Sequence, residues 1–152
     1  MKNNTLYLHI GAPKTGSTAL QRGLADSRES LLESGILYPE AASRAGGHHD
    51  LAFLLHGRYP EWAIPQDAPL ETLWAELEAE VGAHSGDVIL SSENFYLYPA
   101  PEALARLMEA SEPFRRFRVR VVVYVRPQEA AVESWYNQAV KAQGVSAEFP
   151  DF

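Results

Sequence analysis

An apolar segment followed by a glycine-containing loop and a helical pattern is the feature that most constrains the fold of this chain. Residues 5–10, TLYLHI, are short and apolar, as in a buried strand. The loop GAPKTGST follows, and then Leu20, Leu24 and Leu31 recur at near-helical spacing. The pattern predicts a strand at 5–10, a tight turn and a helix from about 17 to 33, which is how an α/β fold begins.

The rest of the chain continues this alternation. A short extended piece is predicted at 36–39, and strands at 88–90 and 118–125; helices are predicted at 49–56, 67–82, from Pro101 onward and 128–142. The second half of RVRVVVYV, residues 118–125, is continuously apolar, which is typical of a central parallel strand covered on both faces. We therefore predict an α/β fold of three layers, with a central parallel sheet flanked by helices.

Length and composition limit the possible functions. The 152 residues are expected to form one domain, 1–152, and the final helix with no strand after it indicates the N-terminal part of a longer domain. The net charge of −7 argues against general nucleic-acid binding, and the lack of cysteine excludes disulfides and thiolate chemistry. Since no apolar run is long enough for a membrane span and the N-terminus does not resemble a signal peptide, a cytoplasmic location is expected.

The loop has the composition of an anion site. Gly11, Gly16 and Thr18 have the spacing of the NTPase phosphate loop, but Ser17 stands where that loop has lysine, and the lysine is Lys14. The first turn of a helix presents free N–H groups and the positive end of the helix dipole. Lys14 adds a charge, and hydroxyl donors come from Thr15, Ser17 and Thr18. The loop favours a phosphate or phosphosulfate ligand; the alternative is a turn without a ligand.

HIGAPKTGST also resembles the 5′-phosphosulfate loop of the sulfotransferases, a family that is P-loop-like in fold and uses 3′-phosphoadenosine 5′-phosphosulfate (PAPS). The resemblance implies that this co-substrate is held by Pro13, Lys14, Thr15, Gly16, Ser17 and Thr18. A second segment, VVVYVRPQEAAVESWYNQ at 121–138, resembles the family's 3′-phosphate site, with Arg126 and Ser134 as the binding residues. The alternative for Arg126 is an ion pair with Glu129 or Glu133.

The resemblance covers residues 5–39 and 87–142 and is closest to the sulfotransferase-like proteins of bacteria. It implies that Lys14 and the loop N–H groups stabilise the transferring group and the leaving phosphate, with no metal. No segment of the chain matches the later glycine-rich basic segment of the family. The implied acceptor is a carbohydrate or another small hydroxylated molecule, for which Tyr96, Tyr98, Trp135 and Tyr136 are candidate cleft residues.

Two sets of residues are candidates for the catalytic base. Glu93 follows the predicted strand in VILSSE, at the edge of the sheet where the loop lies. His48 and His49, in GGHHD, are the alternative, because a neutral imidazole is a natural base near pH 7. Glu93 could instead brace the sheet edge and the histidines could belong to a polar loop. The H-H-D order lacks the i, i+4 spacing of common helical zinc sites.

Two other functions compete with sulfuryl transfer. A nucleotide kinase-like phosphotransferase requires lysine at position 17 and a magnesium-binding Asp after a strand, whereas the chain has Ser17 and Ser91-Ser92-Glu93. A non-catalytic, truncated P-loop domain that folds through self-association as a homo-oligomer is the other alternative. Preference for 3′-phosphoadenosine 5′-phosphate (PAP) over ADP, with and without Mg²⁺, distinguishes the three.

Overall fold

A parallel four-stranded sheet organises the chain in a computed structural model that describes residues 4–65 and 67–144. The strands are β1 (Thr5–His9), β2 (Ile36–Leu37), β3 (Asp87–Ser91) and β4 (Arg118–Val122), in the order β2-β3-β1-β4. All three pairings are parallel, and Leu8 of β1 is in register with Leu90 of β3 and Val121 of β4. This confirms the predicted α/β class with a parallel sheet.

Seven helices connect and flank the strands in this part of the chain. They are α1 (Ser17–Asp26), α2 (Arg28–Glu33), α3 (His49–His56), α4 (Leu70–Gly82), α5 (Asn94–Leu97), α6 (Pro101–Ala110) and α7 (Gln128–Gln143). The predicted helices at 49–56, 67–82, from Pro101 and 128–142 are confirmed within about two residues, apart from the later start of α4. No helix of the described residues is long and apolar enough to cross a membrane.

The strand order creates a crevice between β1 and β3. The connection after β1 runs to β2 on one side, whereas the connection after β3 runs to β4 on the other. In open α/β sheets, ligands bind where neighbouring connections diverge in this way, at the carboxyl ends of the strands. The glycine-containing loop follows β1 and Glu93 follows β3, so both belong to this edge.

The hydrophobic core lies on one face of the sheet. Leu6, Leu8, Val88 and Leu90 point to this face and are buried against residues of α3, α4 and α6. On the opposite face, His9 and Ser91 lie in register at the carboxyl end, and α1 buries Ser17 and Gln21 rather than its leucines. The buried side chains of α1 are therefore polar and are not part of the hydrophobic core.

The prediction of a central, doubly covered strand at 118–125 is wrong. β4 lies at the edge of the sheet that the described residues form, and it ends at Val122. Val121 and Val125 are 57 and 80 % exposed, and Val119, Val123 and Tyr124 are also exposed. A continuous apolar run indicates that a strand is suited to burial on both faces. It does not indicate whether other elements of the fold cover those faces.

Two further predictions need correction. The helix expected at 17–33 is interrupted at Ser27, which separates α1 from α2. The extended piece at 36–39 contributes only Ile36–Leu37 to the sheet. Pro39 has no N–H for a ladder, and the carbonyls of Tyr38 and Pro39 instead accept hydrogen bonds from the Arg28 guanidinium.

Gly86→Ala is expected to destabilise the fold by about 1–3 kcal/mol or more, because the added methyl group meets immobile backbone. An ideal Cβ at Gly86 would lie 2.0 Å from the carbonyl oxygen of Gly35, which also accepts the N–H of Asp87. Gly23→Ala, inside α1 with no atom within 4 Å of the new Cβ, is the matched control and should stabilise the chain by roughly 0.5–1 kcal/mol. Urea unfolding of both variants measures the difference; equal stabilities would contradict the predicted contact.

Candidate anion-binding site at the carboxyl edge

The loop between β1 and α1 holds two residues in the left-handed region. Gly16 precedes α1 with φ 91°, and Lys14 has φ 65°, an unusual conformation for a residue with a side chain. Strained backbone of this kind persists only where surrounding contacts hold it. The carbonyl of Lys14 accepts a hydrogen bond of 2.9 Å from Arg126 Nη1, and Thr15 Oγ1 donates to the carbonyl of Ala12 at 2.5 Å.

Helix α7 reaches back to the same loop. Lys14 Nζ donates to Gln138 Oε1 at 2.7 Å, and Gln138 is one helical turn after Ser134 on the same face of α7. Within the described residues, no carboxylate forms an ion pair with Arg126, so the alternative pairing with Glu129 or Glu133 is not present. The two predicted binding segments, although more than 100 residues apart, therefore meet at Lys14.

A cavity of about 730 Å³ brings the predicted residues together, a volume within the range of small-molecule sites. From the loop and α1 it is lined by Pro13, Lys14, Gly16, Ser17 and Thr18; from the other elements by Trp62, Glu93, Asn94, Leu97, Tyr98, Ser134, Trp135 and Gln138. The loop, the end of β3 and α7 thus enclose one space. Thr15 and Arg126 lie next to it without lining it.

Glu93 is the acidic residue of this cavity. It precedes α5, and its Oε2 accepts a hydrogen bond of 2.8 Å from Gln21 Nε2. Gln21 lies one turn after Ser17 on α1, and its amide fixes one carboxylate oxygen. Glu93 is only partly buried, so the carboxylate remains accessible from the cavity.

His48 is part of the fold rather than of the cavity lining. Its side chain is fully buried; Nδ1 accepts the N–H of Ser91 at 3.1 Å, and Nε2 lies 3.3 Å from the carbonyl of Pro39. These contacts match the neutral tautomer with the proton on Nε2. Burial lowers the pKa of His48 to about 4, so the ring is neutral at pH 7.

His49 lies near Glu93 but does not line the cavity. Its Nδ1 is 2.8 Å from Ser92 Oγ and 3.1 Å from Asn94 Nδ2, and 3.9 Å from Glu93 Oε2. Burial lowers the pKa of His49, and the nearby Glu93 carboxylate only partly opposes this effect. The shift favours a neutral ring, so the approach of His49 to Glu93 is a polar contact and not an ion pair.

The side chains of His48, His49 and Asp50 have three different sets of partners. Asp50 is buried, and its Oδ1 lies 2.6 Å from Arg44 Nη2 and accepts a hydrogen bond of 2.9 Å from the Tyr59 hydroxyl. Neither histidine shares these partners. The described residues contain no group of three or more His, Asp or Glu side chains that could hold a metal ion. The expectation of a metal-free site remains a prediction.

Of the aromatic residues considered as cleft walls, Tyr98 and Trp135 line the cavity, whereas Tyr96 and Tyr136 do not. A second cavity of about 240 Å³, lined almost entirely by apolar side chains, shares Tyr98 with the first.

Sequence reasoning missed Gln21, Trp62, Asn94 and Gln138. Helical spacing could have identified the two glutamines, since each lies four residues after a predicted binding serine.

Acidification should destabilise this chain partly through His48. Because the pKa of His48 is about 4 when folded and about 6.5 when unfolded, the unfolded state binds more protons between these values. The stabilisation is complete above pH 6.5 and is lost as the pH falls toward 4, by up to about 3 kcal/mol. His48→Gln cannot titrate, so the stability difference between wild type and His48→Gln should shrink from pH 7 to 4.

The matched control is His56→Gln, at an exposed histidine at the end of α3. Unfolding free energies of the three proteins at several pH values provide the measurement. A wild-type advantage over His48→Gln that stays constant with pH would contradict the assigned titration.

Comparison of the chain with models of known protein families, with curated proteins and with solved structures found no match.

Proposed function

We propose that this chain is a P-loop-type sulfotransferase domain that binds PAPS at the carboxyl edge of the sheet and transfers its sulfuryl group to a hydroxylated acceptor. The observation that carries the proposal is the meeting of three features in one cavity. The loop after β1 carries Lys14, the end of β3 carries Glu93, and α7 carries Ser134. Their placement at a diverging pair of parallel strands is where such folds bind ligands.

The residues of the loop suit a phosphosulfate group. Gly16 allows the backbone to turn into α1, and no side chain caps this helix, so the N–H groups at its start can bind an anion. Ser17 is 6 % exposed and its Oγ has no hydrogen-bond partner in the described structure. A buried hydroxyl without a partner is costly, and an anion oxygen in the loop would satisfy it.

Arg126 suits the 3′-phosphate. It uses Nη1 to hold the carbonyl of Lys14, and a guanidinium has five N–H donors in a planar fork that matches phosphate. Ser134 lines the cavity from α7, eight residues later. Arg126 would thus bind the nucleotide and also support the strained backbone of Lys14.

When bound, PAPS would supply an activated sulfuryl group with PAP as the leaving group. Glu93 accepts the proton of the acceptor hydroxyl as the acceptor oxygen forms its bond to sulfur and the sulfur–oxygen bond to PAP breaks. Lys14 Nζ and the N–H groups of the loop stabilise the negative charge that develops on the leaving phosphate. Gln21 keeps the Glu93 carboxylate oriented toward the cavity.

The acceptor side of the cavity combines aromatic and polar groups. Trp62, Tyr98 and Trp135 provide flat apolar surfaces, and Asn94 provides hydrogen bonds beside Glu93. Aromatic faces with nearby polar groups suit a carbohydrate or another small hydroxylated acceptor. A cytoplasmic location and self-association remain predictions.

Calorimetric titration with PAP and ADP, each with and without Mg²⁺, tests the proposal. Metal-independent preference for PAP supports it. Magnesium-dependent preference for ADP would favour the kinase-like function, and a chain that is folded by circular dichroism yet binds neither ligand would favour a non-catalytic domain.

Arg126→Ala should weaken PAP binding by roughly 1.5–3 kcal/mol, the value of a charge-assisted hydrogen bond. Binding of adenosine 5′-phosphosulfate, which lacks the 3′-phosphate, should change much less. Arg118→Ala, at an exposed arginine at the start of β4, is the matched control and should leave both affinities unchanged. Equal losses for the two ligands would assign Arg126 a purely structural role at Lys14.

A further inference from the structure

Two buried polar atoms without partners lie together beneath the loop. Four buried side-chain polar atoms of the described residues lack a hydrogen-bond partner, and two of these are His9 Nε2 and Ser17 Oγ. His9 is the last residue of β1 and is 3 % exposed, and Ser17 begins α1. An unsatisfied buried polar group is unfavourable, so two neighbouring ones indicate a state in which both are paired.

Both atoms lie beside Gly11, and they are not hydrogen-bonded to each other in this structure. An ideal Cβ at Gly11 would lie 2.7 Å from His9 Nε2 and 3.0 Å from Ser17 Oγ. Both atoms therefore border the same small space, which the missing side chain of Gly11 leaves open. A side chain at position 11 would separate the imidazole from the serine.

The other ring nitrogen of His9 is already engaged. Nδ1 is 2.7 Å from Ser91 Oγ, which is fully buried on β3. The ring edge also packs against Tyr124, with centroids 5.1 Å apart. These contacts hold the imidazole in an orientation in which Nε2 borders the space at Gly11 that Ser17 Oγ also borders.

An anion bound in the loop would determine which atoms donate and which accept in the hydrogen bonds of Ser17, His9 and Ser91. Ser17 would donate its single hydroxyl hydrogen to the anion, which leaves only lone pairs on Oγ for other partners. A group that pairs with Oγ from below must then be a donor. His9 meets this requirement in the tautomer that carries its proton on Nε2, while Nδ1 accepts the hydroxyl hydrogen of Ser91.

We propose that His9 is a positioning residue, which donates from Nε2 to Ser17 Oγ and thereby directs the Ser17 hydroxyl at the anion bound in the loop. The proposal rests on the anion-binding part of the proposed function but not on sulfuryl transfer. It extends the site beneath the loop, to a residue that does not line the cavity.

A double-mutant cycle on His9 and Ser17 tests the pairing, with PAP and inorganic pyrophosphate as calorimetric probes. His9→Asn keeps an amide near the position of Nδ1 but cannot reach Ser17, and should weaken binding about tenfold. His9→Gln places its amide near the position of Nε2 and should bind within about threefold of wild type. Ser17→Ala should weaken binding about tenfold or more, and His9→Asn should have no further effect in the Ser17→Ala background.

A merely structural role for His9 predicts a different pattern. His9→Asn would then weaken binding equally with and without Ser17, and His9→Gln would not restore affinity; either result overturns the proposal. The thermal unfolding midpoint of each variant is measured in parallel. If the His9 variants do not fold, ¹⁵N spectra of the wild-type histidines with bound probe decide the question, since a proton on Nδ1 of His9 overturns the proposal and one on Nε2 supports it.

The two probes separate this inference from the proposed function. Coupling between His9 and Ser17 with pyrophosphate, in a chain that binds PAP no better than ADP, would support the positioning role and contradict the sulfotransferase assignment. Preference for PAP over ADP without coupling between His9 and Ser17 would support the sulfotransferase assignment and contradict the positioning role. If neither probe binds the folded chain, both are overturned.

Discussion

Glu93→Gln is expected to lower turnover by about 10²–10⁴-fold, the usual contribution of a general base, while PAP affinity stays within about threefold. Glutamine keeps the shape of the side chain, and its carbonyl oxygen can still accept the hydrogen bond from Gln21. It cannot accept the proton of the acceptor hydroxyl. The measurement is PAP release from PAPS in the presence of a panel of sugars and phenols, with PAP affinity determined by calorimetry.

His49→Gln is the matched comparison, because His49 is the nearest alternative base, with Nδ1 3.9 Å from Glu93 Oε2. If Glu93 is the base, His49→Gln should retain turnover within about tenfold, the loss expected from a weakened supporting contact. A collapse on His49→Gln with normal turnover of Glu93→Gln would move the role to His49. Joint loss of folding and PAP binding in Glu93→Gln would identify Glu93 as a brace of the sheet edge.

Lys14→Ala is expected to lower kcat by about 10²-fold or more, the scale observed when one electrostatic donor is removed from a transition state. The Lys14 ammonium reaches the cavity, where it donates to Gln138; under the proposed function, the charge that it would stabilise grows as the bond to the leaving phosphate breaks. Single-turnover measurements with saturating PAPS isolate this effect from binding.

Lys141→Ala is the control for loss of a lysine, since Lys141 is an exposed residue near the end of α7 and does not line the cavity. Its kcat should equal that of wild type. Lys14→Gln separates loss of the charge from a change of the loop backbone at φ 65°, because glutamine keeps a polar side chain, and it should show a comparable loss. Wild-type kcat in both Lys14 variants would contradict the catalytic role.

Local patterns were sufficient to predict most of the elements and the loop. Hydrophobic spacing was sufficient to predict α3, α4, α6 and α7, because apolar side chains three and four positions apart form one face of a helix. A tight turn is predicted in the loop, and Gly16 does adopt a left-handed conformation there. The same kind of information was insufficient at Ser27, where one residue divides a helical pattern into α1 and α2.

The candidate site was only partly visible in the sequence. The residues that line the cavity from the loop follow one another along the chain, so they could be predicted as a group. His48 and His49 are adjacent in sequence, but the start of α3 directs one ring into the interior against Pro39 and the other toward Ser92. No property of the dipeptide distinguishes the two environments, because burial depends on the strands and turns that pack around them.

The amino-acid sequence by itself determined the strand–loop–helix unit at the start of the chain and the parallel α/β class, since both follow from short-range periodicity and glycine placement. Only the tertiary structure decided that the apolar run of β4 lies exposed at the sheet edge, that Gln138 meets Lys14, and that His9 Nε2 and Ser17 Oγ both lie beside Gly11. The physical reason is that propensity and hydrophobic period act within one element. Strand order, burial and the partners of a polar side chain are set by contacts between elements far apart in the chain.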